Sequence, residues 1–213
     1  MTEPSEGRVA GSPERFVTFT DAVVAIALTL LILPLLETIS EFGGEQSLNT
    51  LVHEHLAQFG AFVLSYAVIF QFWWSHHRMF RHVAALNSTM VRWSQIWTFA
   101  IVFMPISTAI TAQYHPSPAT VGLYGGTLVL ASGSMTMLAW TVRRHPELNT
   151  ADSPATSDHV LTSAATFLAM LLAVLVGCVF ADQINYWAFL LLFLTGPIER
   201  LAKRRRRPAV VRD

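Results

Sequence analysis

The apolar residues of this chain neither alternate with polar ones nor recur as narrow stripes. They come in blocks of about 20, the length a helix needs to cross a hydrocarbon layer of roughly 30 Å. Six blocks occur, at residues 15–36, 56–75, 93–113, 121–142, 160–181 and 183–199. The last is short and follows the fifth through a tight turn around Asp182. Charges inside these limits lie near block ends, with one exception, Asp21. The pattern predicts an all-α integral membrane protein with six transmembrane helices.

Composition agrees. Of 213 residues, 53% are hydrophobic and 13% charged, too few charges to cover a soluble domain of this size. Net charge is zero, but the 14 basic residues are unevenly placed. Arg8 and Arg15 precede the first block; Arg78, Arg81 and Arg92 lie between the second and third. Arg143 and Arg144 follow the fourth, and the rest follow the sixth. With six crossings all 14 fall on one side, the pattern of cytoplasmic loops. Both termini are therefore expected in the cytoplasm. Trp93, Trp97 and Trp140 fall near the inner ends, with Tyr114, Tyr124, Tyr186 and Trp187 near the outer ends, as in interfacial belts. All but one of the basic residues are arginine, a bias that suggests a GC-rich bacterial genome and a bacterial cytoplasmic membrane.

Finer punctuation divides the chain. Residues 1–11 are polar and expected to be disordered, and they do not read as a cleaved signal peptide. Ser12-Pro13 is a helix start, an N-cap followed by proline at the first helical position. Residues 12–200 form the six-helix domain, and the first helix is expected to end near Pro34 or Leu36. Residues 38–50 read as a polar outer loop and 145–158 as a polar inner loop. Residues 201–213 form a polybasic cytoplasmic tail, read as a topology anchor attracted to anionic membrane lipid rather than as a nucleic-acid site. Ala165, Ala169, Ala173 and Gly177 recur every four residues, and Gly122-x-x-x-Gly126 is a second small-residue pair; such faces let helices approach closely.

Several candidate sites fall away. Thr120 to Gly126, TVGLYGG, superficially matches the TVGYG potassium filter. Leu123 is inserted and would shift every later carbonyl of an ion-coordinating row. His53-Glu54-His55 supplies too few ligands for a metal centre. The single cysteine, Cys178, excludes an internal disulfide. No nucleophile, base and orienting group assemble, so neither an enzyme nor a cofactor is expected.

Asp21 remains. An ionised aspartate near the centre of a membrane helix costs about 2.5–3.5 kcal/mol. Asp21 lies six residues, about 9 Å, above the start of the span, so its cost is lower, but it still needs donors. Trp73, Ser75, His76 and Arg78, at the inner end of the second span, lie at a matching depth. Two readings stand: a buried polar cluster that fixes helix register, or the entrance to an ion pathway. Beyond Asp21, Ile26, Leu30 and Leu33 form one stripe with Thr29 beside it. It is either a packing seam or the wall of a narrow pore that gates by dewetting.

Arg15-x-x-x-Phe19-Thr20-Asp21 resembles the R-x-x-x-F-S-D signature of the transmembrane protein 175 family of potassium channels, in its prokaryotic form. Trp73-x-x-His76-x-x-x-Phe80 is similar to the family's second motif. The resemblance implies a homotetramer without a TVGYG loop, conducting potassium, other monovalent cations or protons. It implies a pore constriction of Ile26, Leu30 and Leu33, with Thr29 adjoining. It further implies a network of Arg15, Phe19, Thr20, Asp21, Trp73 and His76 that braces the first helix. Thr20 replaces the usual serine, keeping the hydroxyl and adding a methyl. The competing expectation is a proton-linked secondary transporter using Asp21 and His76.

Overall fold

The computed structural model describes residues 12–41, 47–115, 117–150 and 157–179. Its helices are α1 (Pro13–Leu30), α2 (Leu33–Glu41), α3 (Leu48–Glu54), α4 (Leu56–Phe80), α5 (Ser88–Gln113), α6 (Pro118–Arg144) and α7 (Ser157–Val179). A single 3-10 turn, Pro146–Leu148, follows α6. There is no β-strand among the described residues. Five helical segments are long and apolar enough to cross a membrane, the first being α1 and α2 together over Pro13–Ser40. The chain is a multi-pass, all-α membrane protein. The sixth expected span, 183–199, and the tail, 201–213, lie outside the described residues, as do residues 1–11.

Local chemistry sets the helix starts. Ser12 accepts from the Arg15 amide and Pro13 takes the first helical position. Asn87 caps α5 through the Met90 amide at 2.8 Å. Ser117 and Thr120 form a reciprocal capping box on α6, with Pro118 between them. Each cap satisfies amides that have no partner inside the helix. These caps lie outside the apolar blocks, so α5 and α6 begin earlier than hydropathy alone predicts.

The first span is interrupted. Residues 31 and 32 form a turn between α1 and α2, where the Ile32 amide reaches Thr29 and the Leu35 amide reaches Ile32, three residues back. Pro34 cannot donate to the preceding turn, which accounts for the break. The helix then resumes to Glu41, so much of the expected outer loop is helical, and α3 adds about two further turns. The two pieces of the first span bury one face, Thr20, Val24, Ala27, Leu31 and Leu35. α1 packs against α4 and α5. The outer piece is tied to α4 where the Thr38 hydroxyl donates to Gln58 Oε1 at 2.9 Å.

The inner loop after α6 is docked rather than free. Leu148 carbonyl accepts from the Ala84 and Ala85 amides, at 2.7 and 3.2 Å, and His82 carbonyl accepts from the Thr150 amide at 2.9 Å. Val83, Leu86 and Leu148 are buried beneath these bonds.

The α6–α7 packing uses other glycines than the Gly122/Gly126 pair. A Cβ on Gly126 would meet nothing within 4 Å, and one on Gly122 would make only ordinary contact with Cys178. The close approaches are Gly125 against Val174, Gly133 against Phe167 and Gly177 against Val121. Of the expected alanine row Ala165 is exposed; Met170 and Gly177 are the buried positions of α7.

Candidate functional site

Asp21 sits on α1 facing the inner half of α4. Its Oδ1 accepts from Trp73 Nε1 at 2.7 Å, a short charge-assisted bond. Its Oδ2 lies 3.5 Å from His77 Nδ1. The pair lacks hydrogen-bond geometry. The His77 ring is held between Trp73 and Trp74, at centroid distances of 5.5 and 6.3 Å. Trp73 and His77 are four residues apart and share a face of α4, so one carboxylate meets both.

His76, expected beside Asp21, points elsewhere. Its Nε2 lies 3.3 Å from Ser94 Oγ on α5. Its ring stacks on Trp97, with centroids 4.3 Å apart and planes 12° apart, and on Phe80 at 4.4 Å. His76, Ser94 and Trp97 are fully buried. One residue of helical rotation turns the ring by about 100° away from Asp21. The HH doublet therefore serves two seams, His77 toward α1 and His76 toward α5. Among the described residues no hydrogen bond or ion pair joins Asp21 to His76.

The remaining bracing candidates are placed as follows. Thr20 is buried, and its hydroxyl donates to the Phe16 carbonyl of its own helix at 3.0 Å. Phe19 is 66% exposed. The Arg15 guanidinium has no hydrogen bond or ion pair among the described residues. The polar contacts across from α1 are thus carried by Asp21, with Trp73 and His77, beside the Phe16 ring on Phe80 at a centroid distance of 5.9 Å. His77 and the Ser94–Trp97 pair were missed from the sequence. The i, i+4 relation of Trp73 to His77 was the available signal for the first. Nothing local marks Ser94.

Ile26, Leu30 and Leu33 are 59%, 39% and 47% exposed, on the side of the first span opposite its buried face. Ile26 and Leu30 belong to α1 and Leu33 begins α2, so the helix break falls inside the stripe. Thr29 is exposed beside them, its hydroxyl donating to the Ile26 carbonyl at 2.7 Å. That bond uses the hydroxyl proton and leaves the oxygen free to accept. Among the described residues no group of three metal-ligating side chains occurs.

Deeper in the helix bundle, Ser65 of α4, Thr108 of α5 and Tyr124 of α6 form a hydroxyl cluster, with Ser65 at 2.8 Å from Thr108 and 3.2 Å from Tyr124. It ties three helices together away from the exposed stripe.

Residues 15–105, which hold α1 to most of α5, match the family described as the endosomal/lysosomal potassium channel TMEM175. A potassium channel of Chamaesiphon minutus is 34% identical over 122 residues, 54% of this chain and 57% of that protein. A potassium channel of Streptomyces collinus is 27% identical over 134 residues, covering 61% and 64%. The matched regions thus span less than two thirds of these relatives' own lengths. In three dimensions, a lysosomal potassium-selective channel TMEM175 homolog from Chamaesiphon minutus superposes with a TM-score of 0.70 at 22% identity, over 86% of this chain and 96% of that one. Over residues 15–105 the chain is thus similar to the TMEM175 family, and its fold is that of a TMEM175 homolog.

Proposed function

We propose that the chain is one subunit of a tetrameric, potassium-permeable cation channel of the bacterial cytoplasmic membrane. Ile26, Leu30 and Leu33 of the four first spans form its constriction, with Thr29 adjoining. The observation that carries this reading is the two-faced first span. One face is buried against α4 and α5, while the opposite, wholly apolar stripe is left uncovered. The polar anchor on the same helix favours an axis: Trp73 and His77 fix the rotation of α1 about its own axis, as a gate of branched side chains requires. The relatives' names as potassium channels support the ion. Asp21 in this account is a brace and does not meet the ion. Both termini face the cytoplasm, on the one-sided placement of the basic residues.

An apolar ring cannot replace an ion's hydration shell, so the constriction acts as a barrier set by width and wetting. The test is potassium flux into liposomes carrying the reconstituted full chain. The expected result is flux above protein-free vesicles, set by membrane potential and unsaturated by potassium. Correctly assembled oligomers without flux would overturn the proposal.

A further inference from the structure

α6 is mostly buried between α5 and α7, yet a single line of residues reaches the surface along its second half. Leu130 is 40% exposed and Trp140 42%, Met137 is partly exposed, and Arg144 ends the line. The spacings of seven, three and four residues keep them on one helical face. The Arg144 guanidinium sits 4.1 Å from the centre of the Trp140 ring. This cation–π contact positions the arginine head at the rim of an apolar strip. No hydrogen bond or ion pair uses the Arg144 donors among the described residues. Glu147, the nearest acid in sequence, is paired with His145 at 2.8 Å. Arg143, also exposed, adds a second positive charge beside the first.

The dimensions match half a bilayer. Leu130 and Trp140 are ten residues apart, about 15 Å along the helix, against roughly 30 Å for the whole hydrocarbon core. Trp140 then falls where interfacial tryptophans sit, and Arg144 one turn beyond, at headgroup depth.

We propose that this strip is a binding site for one anionic phospholipid, with its phosphate on Arg144 and Arg143 and an acyl chain laid along Trp140, Met137 and Leu130. Charge selects the occupant. A neutral zwitterionic lipid fills the apolar strip equally well but gains less from the two arginines. The site uses none of the residues of the stripe on the first span.

The test places the full chain in vesicles of phosphatidylcholine with increasing brominated phosphatidylglycerol. It reads the quenching of Trp140 as the difference from Trp140→Phe. Brominated phosphatidylcholine gives the neutral comparison. The expected result is half-quenching at a mole fraction about fivefold lower for the anionic lipid, lost in Arg144→Gln, as one surface arginine implies. Glutamine at Arg204, Arg205, Arg206 and Arg207 together leaves the preference intact. Equal quenching by the two lipids, a preference untouched by Arg144→Gln, or one that vanishes with the tail arginines would overturn the proposal. So would a Trp140 quenched by neither lipid, the result if a second copy covers the strip.

Discussion

Around α1, α4 and α5 the helices are pinned by polar atoms that meet in pairs, whereas α6 and α7 touch mainly through bare backbone and methyl groups. The first region holds Asp21 on Trp73 and His76 on Ser94, each joining two helices at one rotation. The second holds Gly125 against Val174 and Gly177 against Val121, and among the described residues its one polar contact is a long Cys178 Sγ to Pro118 carbonyl approach of 3.7 Å. In lipid there is no hydrophobic force between helices, so both devices are needed somewhere. They do different things. Close packing brings helices together but tolerates small rotations; a buried donor and acceptor accept one rotation and penalise the others. The family match, residues 15–105, covers the pinned region and stops before the smooth one.

The largest effect should come from filling the smooth seam. Gly125→Leu drives a side chain into Val174 and should cost about 3 kcal/mol through overpacking. Gly126→Leu, one residue on, meets open space and should change stability by less than about 0.5 kcal/mol. Thermal unfolding in detergent compares them; equal losses would mean that α6 and α7 do not pack as described. Next is Asp21→Ala. It leaves Trp73 Nε1 without its acceptor at a cost of about 2 kcal/mol, and should lower the yield of assembled oligomer. Normal yield with normal flux would remove the brace. Ser94→Ala should cost less, about 1 kcal/mol, because His76 Nε2 loses one neutral partner while the stacking on Trp97 and Phe80 persists. A loss as great as that of Asp21→Ala would mean the second pin matters as much as the first. Smallest in stability is Ile26→Ala, on an exposed position, within about 0.5 kcal/mol. Its effect should appear as a wider pore with weaker ion discrimination, measured as the potassium-to-sodium permeability ratio; an unchanged ratio would move the constriction elsewhere.

Much of the architecture was legible because hydropathy and helix length report the same quantity, the thickness of the apolar layer. The blocks at 56–75 and 93–113 became Leu56–Phe80 and Ser88–Gln113, α4 running on through the polar inner boundary and α5 starting earlier, at its Asn87 cap. Asp21 stood out because a carboxylate in an apolar run has to find donors, and Trp73 was among those at matching depth. What stayed hidden was rotation. Depth cannot tell His76 from His77, which lie 1.5 Å apart along the axis but about 100° apart around it. Glycines 122 and 126 have the spacing of a packing motif, but the face toward α7 is the one carrying Gly125. The docking of Leu148 on Ala84 and Ala85 joins backbone atoms from distant segments, and side-chain pattern does not encode it. The turn at residues 31–32 was within reach, since Pro34 marks a missing donor, but the helix resumed after it rather than ending.

The central claim is that the uncovered stripe of the first span faces water at a shared axis. Cys178 is the only cysteine in the chain, so Ile26→Cys in a Cys178→Ala background presents one thiol on that stripe. A charged, membrane-impermeant thiol reagent applied to proteoliposomes with open channels should modify it and cut potassium flux. If the thiol reacts only with a lipid-soluble reagent and the flux stays unchanged, the stripe faces lipid and the account is wrong.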